Sequence, residues 1–360
     1  MPRDRNSWTV LTAIFLFLWC GVAHAKSSAP AVADDSARSA PGWKPGPPRV
    51  FGYMQVFYKY AFDTGEDSLV DNDVFRMQRV RIGVKGDISR RVSYNVEFDP
   101  RAPQISTVLR DAFLRFHVIP RHQIRVGQQK TQFGYENRES SSDLFTVNRT
   151  DVSDNLSRGV NLRDIGIGVI GDLKLGKRWR LEDAVTVVNG SGMNVQDDLT
   201  ARKNVWGRLG LRHKNEKGDR VARLGFSGGA GDLFDPGDDP VDPSDDFLLV
   251  FNRYGVDLEL DGPRALVYGE YVSGHQEDRS TGETDEPVGW YVAFVGKTRW
   301  RVGPILRYED FDDDFKRYTF GAYWGLPDES LRFLVNYEYR KLFDTERGDD
   351  KLYVWSQVRF

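Results

Sequence analysis

The sequence predicts an all-β fold, an up-and-down antiparallel transmembrane β-barrel of about 16 strands. Three observations predict it. Apolar and polar residues alternate in short segments from Arg49 to the last residue. The connections between these segments are alternately long and short. The chain begins with an export signal. We take the supporting elements in chain order.

Residues 1–25 have the features of a cleavable secretory signal peptide. Arg3 and Arg5 form a positive start, residues 8–22 are mostly apolar, and Ala23-His24-Ala25 matches the small-x-small cleavage pattern. The apolar run of about 15 residues is short for a membrane-spanning helix. We therefore expect this segment to be removed after export.

The exported part has the composition of a barrel and not of a helical membrane protein. The single cysteine of the sequence, Cys20, lies inside the predicted signal peptide. The exported part therefore has no cysteine with which to form a disulfide. The mean hydropathy is −0.52, and no later segment approaches 18 consecutive apolar residues. Residues 26–48 are rich in proline and alanine, and we interpret them as a flexible periplasmic tail. The barrel domain is predicted to cover residues 49–360.

Two-residue periodicity defines the strands. Residues 331–340 have apolar or aromatic side chains at odd positions and mostly charged or amide side chains at even positions. Residues 318–326 repeat the pattern. Such alternation is typical of a strand between lipid and water. We predict strands at 49–62, 73–86, 91–99, 108–119, 122–130, 163–173, 178–189, 203–214, 219–229, 246–260, 264–276, 288–298, 300–310, 315–326, 330–343 and 350–360.

The connections alternate between tight turns and long polar loops. Turns such as Leu175-Gly176-Lys177 and Glu216-Lys217-Gly218 contrast with loops such as 131–162 and 230–245. Outer-membrane barrels have tight periplasmic turns and long outer loops. We expect the aspartate-rich loop 230–245 to be solvated and to face lipopolysaccharide.

Side-chain parity assigns charges to the barrel interior, because a charge on the lipid face costs about 2–4 kcal/mol at mid-membrane. Basic residues exceed acidic ones in this set, and rings of arginine and lysine favour anions. The alternative is that arginines and carboxylates on neighbouring strands pair and brace the wall; the sequence leaves both readings open. The inward set is Arg79, Arg81, Lys85, Arg115, Arg125, Arg208, Arg212, Arg223, Arg253, Arg307, Arg332 and Arg340 with Glu97, Asp99, Asp111, Asp257, Glu259, Glu309 and Glu338.

One stretch resembles the phosphate-selective porin O and P family. Phe75-Arg-Met-Gln-Arg-Val-Arg-Ile-Gly-Val-Lys-Gly86 is similar to its second strand, and Tyr94 to Phe98 and Leu109 to Phe113 follow at the family's spacing. Val126-Gly-Gln-Gln-Lys130 with Phe133-Gly134 resembles the strand that enters its third loop. The resemblance implies a sixteen-stranded barrel, a homotrimer, a third loop folded into the pore, and anion selection by lumen arginines and lysines.

Parity and resemblance together give the candidate pore-lining or anion-binding residues. The third loop, residues 131–162, contributes three arginines but also several carboxylates, and it has no run of basic residues. The candidates are Arg79, Arg81, Lys85, Arg115, Arg125, Lys130, Arg138, Arg149 and Arg158.

We expect a passive outer-membrane channel for small hydrophilic solutes, with anions of the phosphate or polyphosphate type favoured. The partners would be outer-membrane lipid, lipopolysaccharide, the solute, two further copies of the chain, and the barrel-assembly machinery through the terminal Phe360. A pore for sugars or organic acids, in which Tyr53, Tyr94 and Tyr323 line a track, and a non-channel surface barrel are the alternatives. The sequence has no nucleophile elbow, P-loop or nucleic-acid patch, and its histidines are dispersed, so we predict no enzyme activity, cofactor or metal.

Overall fold

The fold was analysed in a computed structural model of the chain. It describes residues 43–62, 73–101, 108–157, 163–195, 197–198, 200, 202–235, 247–311, 315–342 and 350–360. The predicted signal peptide and most of the predicted tail lie outside these residues and remain predictions.

Within the described residues the chain forms seventeen strands and one turn of π-helix at Val152–Leu156. The short β12 pairs only with β11. The strands are β1 Arg49–Ala61, β2 Asp73–Ser89, β3 Val92–Phe98, β4 Leu109–Ile119, β5 His122–Lys130, β6 Arg163–Lys174, β7 Trp179–Val188, β8 Asn204–Lys214, β9 Val221–Asp235, β10 Phe247–Asp261, β11 Ala265–Asp278, β12 Thr284–Asp285, β13 Val288–Gly296, β14 Val302–Phe311, β15 Phe315–Gly325, β16 Leu331–Leu342 and β17 Lys351–Arg359.

The other sixteen strands form one closed antiparallel ring. Each strand pairs with its neighbours along the chain, β11 pairs directly with β13, and β17 pairs with β1. The closing ladder runs from Tyr53 opposite Arg359 to Ala61 opposite Lys351. Closure leaves no sheet edge to be satisfied by lipid, which is what a membrane requires of a sheet. The predicted sixteen-stranded barrel is confirmed.

The predicted strand limits agree with the structure to within a few residues, with one larger exception. The end of β9, predicted at 229, was wrong: the strand continues to Asp235, and its ladder with β10 runs without interruption to the pair of Asp235 and Phe247. The Gly-Gly-Ala-Gly run at 228–231 looked like the start of a loop. Backbone pairing with β10 holds it extended despite its weak strand propensity.

The two faces of the wall separate as parity predicts. On β2 the Ile82 side chain is 44% exposed on the outer face, whereas Arg81 is 5% exposed on the inner face. Tyr53 and Tyr323 also lie on the buried inner face, but Tyr94 was wrongly considered for a lumen track. It pairs with Gly86 and covers that glycine on the outer face, because the parity of β3 places Ser93, Asn95 and Glu97 inside.

Aromatic side chains form a belt on the outer face near the long-loop end. The rings of Trp290 and Tyr308 lie 5.0 Å apart, those of Tyr308 and Tyr318 5.0 Å, and those of Tyr318 and Tyr339 6.0 Å. Such belts mark the boundary between hydrocarbon and headgroups. No helix in the described part of the chain is both long and apolar enough to cross a bilayer.

Candidate constriction and its charged walls

The segment after β5, residues 131–162, is called the constriction loop here; its described part, residues 131–157, lies inside the ring. Its residues Phe133, Glu136 and Val152 are fully buried although they belong to no strand. Hydrogen bonds join its backbone or side chains to inward-facing side chains of β1, β2, β7, β9, β11, β14, β15, β16 and β17: Gln55, Gln78, Thr186, Ser227, Glu270, Arg307, Glu309, Arg317, Arg332, Asn336, Glu338, Gln357 and Arg359.

The loop is also fixed internally. The Lys130 ammonium donates to the carbonyl oxygens of Asn137, Arg138 and Glu139 at 3.2, 3.5 and 2.6 Å. The buried Glu136 carboxylate accepts bonds of 2.8 Å from the backbone N–H and the hydroxyl of Thr150. Backbone carbonyls that would otherwise lack partners in the lumen are therefore satisfied. Lys130 was predicted to bind an anion, but its ammonium group holds the loop backbone here.

Several arginines face the loop backbone and not open solvent. Arg332 donates to the carbonyls of Ser142 and Leu144, and Arg149 donates to the carbonyl of Glu139 at 2.8 Å. Arg307 donates to the carbonyl of Asn148 at 2.8 Å. Guanidinium groups suit this task because they present several donors in a rigid plane.

A bulge on β2 directs one further side chain at the loop. The register of β1 and β2 shifts between Gln55 and Val56, so that Gln78 of β2 lies opposite no residue of β1. Its amide donates to the carbonyl of Val147 at 2.9 Å and accepts from the indole of Trp355 at 2.8 Å. Bulges commonly re-aim side chains in this way.

The Arg79 and Arg81 side chains, predicted to select anions, both have wall partners. Arg81 lies 3.1 Å from the Glu97 carboxylate and 3.8 Å from Asp99. Arg79 donates to Gln55 at 2.9 Å. These contacts correspond to the bracing alternative more than to a free anion site.

The wall formed by β7 to β10 carries a neutralised charge network. Glu182 lies 3.6 Å from Arg208, 3.4 Å from Arg212 and 3.3 Å from Arg223. Arg208 is in turn bidentate with Asp257, and Arg223 pairs with Glu259. The buried arginines and carboxylates of this network compensate each other, so we expect little net selectivity from this wall.

The inner wall of β1 to β5 is different, because cations collect there. Arg115 and Arg125 are directly opposed on β4 and β5, and their guanidinium groups lie 4.8 and 5.2 Å from the ring centre of Phe113. Lys85 is opposed to Arg49 and lies 4.7 Å from the ring centre of Phe51. We call Arg49, Lys85, Arg115 and Arg125 the basic patch.

Within the basic patch, Arg125 differs from the ion-paired arginines of the other walls. Among the described residues, Arg125 has no ion-pair partner, and its Nε donates to no acceptor. Like charges directly opposed across two strands repel each other. An anion between them would remove that repulsion, so this is the part of the wall best suited to attract one.

Arg138 and Glu139 are half-buried residues of the loop that face the charged walls. Burial, followed by the nearby Arg208, lowers the pKa of Arg138 to about 10, so it remains a cation at neutral pH. Burial raises the pKa of Glu139, while Arg223 acts in the opposite direction. Arg158, the remaining predicted loop cation, lies outside the described residues.

Three sets of interior residues were missed at the sequence level. Glu182 and Asp172 were available from the parity of their predicted strands but were not assigned, and Phe113 gave no signal that it would carry two arginines. Glu270 was not recognised as an inward residue because its inward neighbours, Tyr268 and Val272, are an aromatic and an aliphatic residue.

No group of three or more metal-binding side chains occurs in the part of the chain that the structure describes.

The chain is similar to one sequence family and to several solved barrels. The family model "Phosphate-selective porin O and P" matches residues 50–226. No curated protein matches the chain in sequence.

Three solved structures give the fold likeness. OmpTΔL8, a loop L8 deletion mutant of an outer membrane protein of Vibrio cholerae, has a TM-score of 0.62 at 12% identity, covering 87% of this chain and 99% of that chain. The anion-selective porin from Comamonas acidovorans has a TM-score of 0.60 at 12% identity, covering 88% and 100%. In-vitro folded OmpT of Vibrio cholerae in its trimer form has a TM-score of 0.55 at 12% identity, covering 87% and 99%. At this identity the likeness concerns the fold.

Proposed function

Because this chain is an outer-membrane β-barrel of porin fold whose residues 50–226 carry the phosphate-selective porin O and P pattern, we propose that it is a passive channel for small hydrophilic anions. Porins are channels and not enzymes. The basic patch is the observation that carries the anion preference. The charges of the other walls largely compensate each other.

The proposed path passes between the constriction loop and the walls of β1 to β10. A solute would meet Arg138 and Glu139 on the loop and then the basic patch near the short-turn end of the barrel. A low-dielectric wall focuses the field of such charges and raises the local anion concentration. Among small anions, phosphate-like groups suit guanidinium donors well, because two of their oxygens can accept two parallel N–H bonds from one arginine.

We expect the purified protein in planar bilayers to give discrete single-channel currents, with a reversal potential in asymmetric potassium chloride that indicates chloride preference. Inorganic phosphate should reduce the chloride current in a concentration-dependent manner. Channels that prefer potassium and ignore phosphate would contradict the anion proposal while leaving the channel in place. An absence of channels would contradict both.

The acid dependence of selectivity follows from the loop pair. Since the pKa of Glu139 is raised, it should gain a proton at a higher pH than an ordinary glutamate, whereas Arg138 stays charged. Lowering the pH from about 7 to about 4 should therefore make the loop more positive and the channel more anion-selective. The Glu139→Gln variant should show a smaller change of reversal potential over the same range. An equal change in both proteins would show that other carboxylates cause it.

We also propose that three copies assemble in the membrane and that Phe360 takes part in barrel assembly. The solved OmpT trimer supports the first proposal. Phe360 is 63% exposed, and its backbone N–H and carbonyl both bond to Gly52, which places the aromatic ring at the seam of the barrel. The mass of the detergent-purified complex tests the trimer, and the yield of Phe360→Ala in outer membranes tests the assembly role.

A further inference from the structure

Both ends of the constriction loop meet the wall at one carboxylate. Glu270 of β11 accepts a hydrogen bond from the backbone N–H of Tyr135, where the loop leaves, at 3.3 Å. It accepts a second from the hydroxyl of Ser157, where the loop returns, at 2.8 Å. The Tyr291 hydroxyl of β13 donates a third at 3.1 Å. Only 3% of the Glu270 surface is exposed.

The loop backbone fits closely over this carboxylate. Gly134 has a φ of +61°, a conformation that favours glycine, and a Cβ at this position would lie 1.9 Å from the Glu270 Oε1. The backbone N–H of Gly134 also donates to Ser227 of β9 at 2.9 Å. The base of the loop is thus seated on β9 and β11, with room for no side chain between.

Glu270 differs from the other carboxylates that hold the loop. Glu309 also accepts a bond from a loop N–H, but it pairs with Arg317 of the neighbouring strand. The three described donors to Glu270 are neutral, and two charged groups that act on it, Asp257 on β10 and Glu136 in the loop, are acidic. A carboxylate suits this position because it can accept from three converging donors at once.

We propose that Glu270 is the positioning residue of the constriction: it joins the outgoing and returning ends of the loop to the wall and thereby sets the width of the pore. The proposal rests on the proposed channel function. The Glu270 carboxylate bonds to residues at both ends of the loop.

The test compares single-channel currents of four proteins. Glu270→Ala removes the acceptor for all three donors and should raise the time spent in altered-conductance states about tenfold, seen as open-channel noise. Glu270→Gln should restore most of the quiet behaviour, since its amide accepts from Tyr135 and Tyr291 and donates to Ser157. Asp232→Ala, which removes a fully buried carboxylate on β9 without a hydrogen-bond partner, is the matched control and should remain as quiet as the parent.

A second pair of variants covers the case in which Glu270→Ala does not fold. Ser157→Ala frees only the returning end and Tyr291→Phe frees neither end, so the first should be noisier than the second. The proposal would be overturned if the parent forms channels and either Glu270→Ala or Ser157→Ala gives currents as quiet as those of the Asp232→Ala control. A parent protein without channels would instead overturn the proposed function.

Discussion

Replacing Arg115 and Arg125 together by glutamate is expected to turn the channel from anion-preferring to cation-preferring. The two substitutions reverse two charges on adjacent strands and so change the net charge by four units. Arg125 has no carboxylate partner among the described residues, and Phe113 offers only its ring face. Because the low-dielectric wall focuses this field, the ratio of chloride to potassium permeability should fall at least about tenfold. Reversal potentials in asymmetric salt measure it directly.

The matched control for this experiment is a charge swap in a paired site. Arg81→Glu combined with Glu97→Arg exchanges the members of an inner-wall ion pair at 3.1 Å and keeps the net charge. It should leave the reversal potential close to that of the parent. If the swap shifted selectivity as much as the double reversal, selectivity would depend on the whole wall and not on the basic patch.

The Asp257→Ala variant is expected to be the most destabilising single change in the barrel wall. Asp257 and Arg208 each expose only 1% of their side chains and form a bidentate pair. Removing the carboxylate leaves a buried guanidinium with Glu182 at 3.6 Å as its remaining acidic neighbour. Breaking such a pair costs about 3–5 kcal/mol. The loss of stability would appear as a lower urea concentration at which the barrel unfolds in detergent. Unfolding can be monitored by the heat-dependent mobility of the protein in gels.

Two comparisons separate this cost from a general effect of losing a charge. Glu216→Ala removes the partner of Arg178 in a pair whose side chains are 75% and 49% exposed, and such pairs contribute at most about 1 kcal/mol. Replacing both Arg208 and Asp257 by apolar residues should recover much of the stability lost by Asp257→Ala, since no unpaired charge remains. Equal losses in the exposed and the buried site would refute the argument.

The strands and their two faces were predictable from the sequence because each residue there reports its own environment. Ile82 and Val335 face lipid and are apolar, whereas Arg81 and Asn336 alternate with them on the inner face. The misplaced end of β9 had a local cause. Glycines remove the side-chain signal on which periodicity depends, so only pairing with β10 reveals that strand.

The partners of the interior charges could not be predicted, because pairing depends on register across the ring. Nothing in the sequence distinguishes Arg208, which meets Asp257 forty-nine residues later, from Arg125, which meets a phenylalanine ring and another arginine. The same limit hid Glu270, whose donors come from residues 135, 157 and 291. The resemblance named candidate cations, and the geometry separates those that are ion-paired, such as Arg81, from Arg125, which has no ion-pair partner among the described residues.

The many attachments of the constriction loop have a mechanical consequence for the barrel. An empty cylinder of one sheet can flatten into an ellipse under sideways load, since its ladders resist stretching better than bending. Here the segment in the interior is bonded to opposite sides of the cylinder, to Ser227 on β9 and to Gln55 on β1, and acts as a cross-tie. The aperture should therefore keep its shape when lipid thickness or lateral pressure changes.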